Sequence, residues 1–208
     1  MESAVRRWVL IGSIAVVVLS PSAAFAGGPA GWKSTTPACL VVCPQGDVVS
    51  TVIARDPADN AVANSVVVID FSLCPGFVLC PPDGRESYVI KPGPRLVGIT
   101  NAVGRADFSI RACGTCLGSV TITADNRALA QYTGVVSPDQ NGDQLVDNAD
   151  EVLLEAKIGT RDVTGDLDCN HLVDSSDIAI LRAHLGHASQ HAVPVEPRTW
   201  GALKLIYR

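Results

Sequence analysis

Two stretches place side-chain oxygens at positions 1, 3, 5, 9 and 12 of a twelve-residue loop. The first is Asp139, Asn141, Asp143, Asp147 and Asp150; the second, 27 residues later, is Asp166, Asp168, Asn170, Asp174 and Asp177. A hard divalent cation such as Ca²⁺ takes about six to eight oxygens, and a loop of this length can wrap such a set around it. The backbone carbonyls of Leu145 and Leu172, at position 7, would complete each set. The pattern predicts two Ca²⁺ sites.

Residues 139–159 and 166–186 align without gaps and share eight of twenty-one positions, among them Val146/Val173, Leu154/Leu181 and Gly159/Gly186. Such self-similarity marks a duplicated unit. Residues 139–177 hold eleven acids against Lys157 and Arg161, a net charge of −9, while the whole chain carries −5. Carboxylates about 4 Å apart repel by roughly 1 kcal/mol per pair even in bulk water, and a bound cation would relieve this. Asp147/Asp150 and Asp174/Asp177 also have the spacing of a helix capping box. Capping accounts for positions 9 and 12 but not for 1, 3 and 5.

Short amphipathic helices are expected after each loop, over about 150–158 and 177–185, with Gly159 and Gly186 as C-terminal caps. Val152, Leu153 and Ala156, then Ile178, Leu181 and Leu185, would form their buried stripes. Val146 and Val173 at position 8 are expected to point inward and hold the loops together. This loop-helix duplication over roughly 135–187 resembles a dockerin, the calcium-dependent module that docks into cohesins. The resemblance implies partner contacts at Asn148-Ala149 with Glu155-Ala156, and at Ser175-Ser176 with Arg182-Ala183. Only Ser175-Ser176 is similar to the usual hydroxyl pair, and the familiar Lys/Arg surface is missing. Position 6 departs as well: Gln144 and His171 stand where such loops carry glycine. A side chain in the left-handed region costs roughly 1–2 kcal/mol, so weaker binding or an adjusted turn is expected.

Upstream, residues 46–134 read as strands. Ala106, Phe108 and Ile110 alternate with polar residues, as do Val120, Ile122 and Ala124, which gives each strand one buried face. Asp125-Asn126 has the form of a tight hairpin turn before residues 128–132, and residues 48–54 and 65–71 are β-branched runs flanking a turn-rich insert. The order resembles bacterial immunoglobulin-like domains of the invasin/intimin type, with residues 100–108 similar to their x-D-x-x-G-x-A-x-F segment. The resemblance implies a spacer or adhesive module. This region has no Gly-x-Ser-x-Gly elbow, phosphate loop or His-Glu-x-x-His, so no catalytic residue is assigned. Outside the metal loops there is no convincing pair of glycosidase carboxylates. The acidic balance argues against a nucleic-acid binder.

Arg6-Arg7, an apolar run over 8–19 and Ala24-Phe25-Ala26 have the form of a secretory signal, with an uncleaved anchor as the alternative. Export favours disulfides over reduced metal ligands. Cys39/Cys43, Cys74/Cys80 and Cys113/Cys116 form three close pairs, and local pairing is the first expectation among fifteen connectivities. A zinc site or redox motif at Cys113-x-x-Cys116 is the rival. Cys169 is left over, as a free thiol or an intermolecular bridge. His184, His187 and His191 have helical spacing, but Gly186 interrupts it, so solvated surface histidines are expected over a zinc site.

The expected fold is mainly β with a small α module: a signal peptide (1–26), a linker (27–45), an immunoglobulin-like β-sandwich (46–134), a dockerin-like calcium domain (135–187) and a tail (188–208). The expected function is that of a secreted, non-catalytic calcium-binding modular protein, outside the cell or on its surface, with the periplasm as alternative. It would serve scaffolding, adhesion or complex assembly with a cohesin-like or other extracellular protein. The alternative is a cohesin-binding or carbohydrate-binding component of a polysaccharide-degrading system. Neither nucleic acid nor a membrane span in the mature chain is expected.

Overall fold

A computed structural model describes residues 27–189 apart from 76, 81–83 and 85. The expected signal peptide and the tail from residue 190 lie outside the described residues. In chain order the elements are β1 (Val49–Ile53), β2 (Val66–Asp70), β3 (Val78–Leu79), β4 (Tyr88–Lys91), β5 (Arg95–Ile99), β6 (Arg105–Ser109), β7 (Ala112–Cys113), β8 (Val120–Ala124), β9 (Arg127–Tyr132), α1 (Asn148–Glu155) and α2 (Ser175–Ala183). The fold is mainly β, and every strand pairing is antiparallel. None of the described helices is long and apolar enough to cross a membrane.

Five strands form one sheet in the order β4-β5-β2-β8-β9, and β1-β6 and β3-β7 form two-stranded sheets. Alternation decides which side chains turn inward. Leu96, Ile69 and Ile122 lie in one row across three neighbouring strands and are fully buried. In the next row Gly98 stands beside Val67, and Val67 beside Ala124. From β6, Ala106 and Phe108 join the same core, with Ile110 just beyond the strand. The phenyl ring of Phe108 lies over Gly98, where an added Cβ would sit 2.9 Å from Cζ. A glycine inside a strand marks such a close approach.

The turns are those their residues favour. Asp125 and Asn126 both take positive φ, 47° and 62°, between β8 and β9, as a two-residue hairpin of this hand requires. Asp56 closes the expected turn by accepting from the backbone of Ala58 and Asn60 at 2.9 and 2.8 Å. The β4-β5 hairpin was not among the expected strands; it turns at Gly93, φ 82°.

Residues 40–44, within the stretch expected as a linker, are packed into the fold instead. Leu40 and Val42 are fully buried, and Val42 donates to the Val136 carbonyl while Val136 donates to that of Leu40, both at 2.9 Å. Apolar residues in an extended stretch have been recruited to close the core. Val41 and Cys39 pack against the second, smaller core of Val136, Val146, Leu154, Leu167, Val173, Ile178 and Leu181.

The cysteines correct the expectation of local pairing. Cys39 is bonded to Cys169 and Cys74 to Cys116, with Cα atoms 5.9 and 5.3 Å apart, inside the usual span of about 4.4–6.8 Å. Cys169 is therefore neither free nor intermolecular. Pairing follows proximity in the folded chain, which sequence spacing does not reveal. Cys43, Cys80 and Cys113 are buried and reduced, but the sulfurs of Cys80 and Cys113 are 3.0 Å apart. The hydrogen bond from Cys113 lowers the Cys80 thiol to about 7, while that bond and burial raise Cys113. Refolding with glutathione disulfide should therefore oxidise this pair, passing two electrons and two protons to give one protein disulfide and two glutathione molecules. A thiol count on the denatured product is expected to find Cys43 alone; three thiols would refute the pairing.

Candidate metal centre

Both loops are built around two buried carboxylates, at positions 1 and 12. Position 9 provides the N-cap of each helix: Asp147 Oδ1 accepts from Ala149 N–H and Asp174 Oδ1 from Ser176 N–H, each at 2.7 Å. Asp150 and Asp177 accept in return from the N-cap N–H groups at 2.9 and 2.8 Å, completing a capping box on each helix. The helices accordingly begin two residues before the expected starts, at Asn148 and Ser175.

Capping does not exhaust the role of position 12. Asp150 Oδ1 also accepts from Gln140 and Asn141 N–H at 2.8 and 3.0 Å, and Asp177 Oδ1 from Leu167 and Asp168 N–H at 2.6 and 3.1 Å. Each carboxylate thus ties the helix start back to the loop start and closes the twelve-residue ring. At position 1, Asp139 accepts from Gly142 and Gln144 N–H at 2.7 and 3.1 Å, and from Gly114 of the neighbouring β-rich unit at 3.2 Å. Asp166 accepts from Asn170 and His171 N–H at 2.9 and 2.8 Å.

The departure at position 6 leaves the turn intact. Gln144 and His171 both adopt the left-handed conformation, φ 76° and 70°, and the N–H each turns inward is the one that reaches the position-1 carboxylate. That hydrogen bond offsets part of the roughly 1–2 kcal/mol strain. At positions 3 and 5, Asn141 and Asp143 are joined at 3.1 Å, and Asp168 and Asn170 at 3.0 Å. Asp143 Oδ1 and Asn170 Oδ1 accept from the N–H of Leu145 and Leu172 at 3.0 and 2.8 Å, fixing the backbone whose carbonyls are the expected position-7 ligands.

Val146 and Val173 are fully buried in the shared small core. Their carbonyls clasp the opposite unit: Gly159 N–H donates to Val173 and Gly186 N–H to Val146, both at 2.8 Å. The two glycines are therefore not the helix caps, which are Ala156 and His184. The expected stripe on α1 is corrected too. Leu154 is buried while Val152 and Leu153 are exposed, because the inward-facing Asp150 sets the helical phase and the position four residues later faces the same way. On α2, Ile178 and Leu181 are buried as expected, and Leu185 lies beyond the helix and is exposed.

Negative charge is concentrated inside the first loop. Burial pushes the Asp139 carboxyl up to about 6, with Asp150 and Asp143 adding to the rise against the hydrogen bonds from Gly142 and Gln144. Burial also raises Asp150. In the second loop, carboxylate oxygens of Asp166, Asp168 and Asp177 all lie within 4.8 Å of one another. The first loop carries the neutral Asn141 where the second has Asp168. Oxygen donors converging in this way can hold a hard cation. No protein-family model and no curated protein matches this chain.

Proposed function

We propose that the chain is a secreted, non-catalytic modular protein in which an immunoglobulin-like sandwich carries a dockerin-like pair of calcium loops. The observation that supports this reading most is the ring closure at position 12. In both loops one buried Asp reaches the N-cap and the loop entry, while position 1 receives the position-6 N–H. Capping alone requires neither contact, and the Asp166, Asp168 and Asp177 oxygens converge as ligands of one ion would. Calcium binding would be coupled to folding of the module, since its free energy adds to that of the folded state. The role is extracellular scaffolding or complex assembly, with the exposed Val152 and Leu153 of α1 offering apolar surface to a protein partner.

The test is Asp139→Ala combined with Asp166→Ala. The wild-type chain is expected to bind two Ca²⁺ by calorimetry, with magnesium far weaker, and to gain about 2.7 kcal/mol of stability per site at a hundredfold excess over Kd. The double variant should lose that gain while the sandwich remains folded. Undiminished calcium stabilisation in the variant would overturn the ligand assignment.

A further inference from the structure

At the far end of α2 a second cluster of metal-ligating atoms forms from segments distant in sequence. Cys43 and Asp47 precede β1, while His184 caps α2 and His187 follows it. One ligand atom of each lies within 4.8 Å of the others. His187 Nδ1 is 3.5 Å from Cys43 Sγ and 3.4 Å from Asp47 Oδ2, and His184 Nε2 is 3.3 Å from the same Asp47 oxygen. The edges of a tetrahedron with metal–ligand bonds of about 2.0–2.3 Å measure roughly 3.3–3.8 Å. The three separations fall in that range.

The surroundings aim these atoms. His184 Nδ1 lies 2.7 Å from the Ile180 carbonyl, which can only accept, so Nδ1 carries the proton. In the neutral ring the Nε2 lone pair then faces the cluster, the second-shell arrangement that orients metal-bound histidines. His187 is held by its backbone, accepting from Val146 N–H at 2.8 Å and donating to the His184 carbonyl at 2.9 Å. The two rings meet edge to face, 5.1 Å apart. Cys43 is fully buried without a disulfide partner; once Cys80 and Cys113 pair, it is the odd member of seven cysteines. Asp47 is exposed and opens a path to solvent.

We propose that Cys43, Asp47, His184 and His187 form a tetrahedral site for a borderline-soft divalent transition-metal ion, Zn²⁺ by the chemistry of its donors. One thiolate, two imidazoles and a carboxylate suit zinc, whereas Ca²⁺ takes oxygen donors. Four protein ligands leave no open position, so the ion is structural. It fastens the segment before β1 to the end of α2. The histidines expected as solvated surface groups are instead half-buried ligands, and His191 lies outside the described residues. The site does not depend on the calcium reading of the loops.

The full chain, stripped of metal and held in millimolar calcium to keep the acidic loops occupied, is titrated with Co²⁺. One equivalent is expected to raise a thiolate-to-cobalt charge-transfer band with the intense visible bands of tetrahedral cobalt, and one equivalent of Zn²⁺ should bleach both. Cys43→Ser should abolish the charge-transfer band. His184→Gln, at a partly exposed position, should weaken cobalt binding by at least about tenfold with an unchanged circular dichroism spectrum. Absence of the band in the folded wild-type chain, or its survival in Cys43→Ser, overturns the proposal.

Discussion

Replacing Cys39 and Cys169 together by alanine is expected to lower stability by about 2–5 kcal/mol, more than loss of the Cys74–Cys116 bond. The first bond joins residues 130 apart and the second residues 42 apart. Restricting the longer loop removes more entropy from the unfolded chain, about 5 against about 4 kcal/mol in the chain-entropy account. The native state adds a local term. Cys169 is position 4 of the second acidic loop and has a positive φ of 64°, so the bond also holds a strained turn in place. Cys39 lies at the edge of the small core, in a segment that reaches the β-rich unit through Leu40 and Val42. The variant should show a lower urea midpoint, and calcium binding at the second loop should weaken more than at the first. An unchanged midpoint would mean that the paired backbone of residues 40–42 and 136 already holds the units together.

How much of this was legible follows from the range of each interaction. The acidic loops were readable as a repeat because the spacing of their oxygens is local, and in the structure the position-12 carboxylate closes each into a ring. Phe108, Ile122 and Val67 were readable from alternation or β-branched runs. The helix starts were misplaced by two residues, because Asp147 and Asp174 act as N-caps as well as loop residues, and phase errors on α1 followed. The β4-β5 hairpin was missed although Tyr88-Val89-Ile90 and Leu96-Val97 flank Lys91-Pro92-Gly93-Pro94; the prolines masked a β signal that the flanking residues carry. Disulfide partners and the Cys43, Asp47, His184, His187 cluster were beyond reach. They depend on chain segments 42 to 144 residues apart that only the folded chain brings together, and the one hint was the odd number of cysteines.

Phe108→Ala is expected to cost about 3–5 kcal/mol, the range for deleting a fully buried aromatic side chain. The ring is completely enclosed, stacks on Tyr88 with centroids 5.9 Å apart, and fills the space left by the missing side chain at Gly98. Tyr88 stands beside Gly98 in the β4-β5 register, and its hydroxyl donates to the Ser109 carbonyl at 2.9 Å, so it is anchored and collapses poorly into the void. The same contact makes Gly98→Ala destabilising by about 1–3 kcal/mol, because the new Cβ would press on the ring. Combining the two substitutions separates packing from strand propensity. With the ring gone, the Gly98→Ala methyl enters empty space, and its penalty should fall or reverse. Urea denaturation of the four variants therefore should yield a favourable coupling energy of about 0.5–3 kcal/mol. Additive penalties would mean that β6 and β5 do not pack through this residue pair, and that Gly98 serves the strand backbone alone.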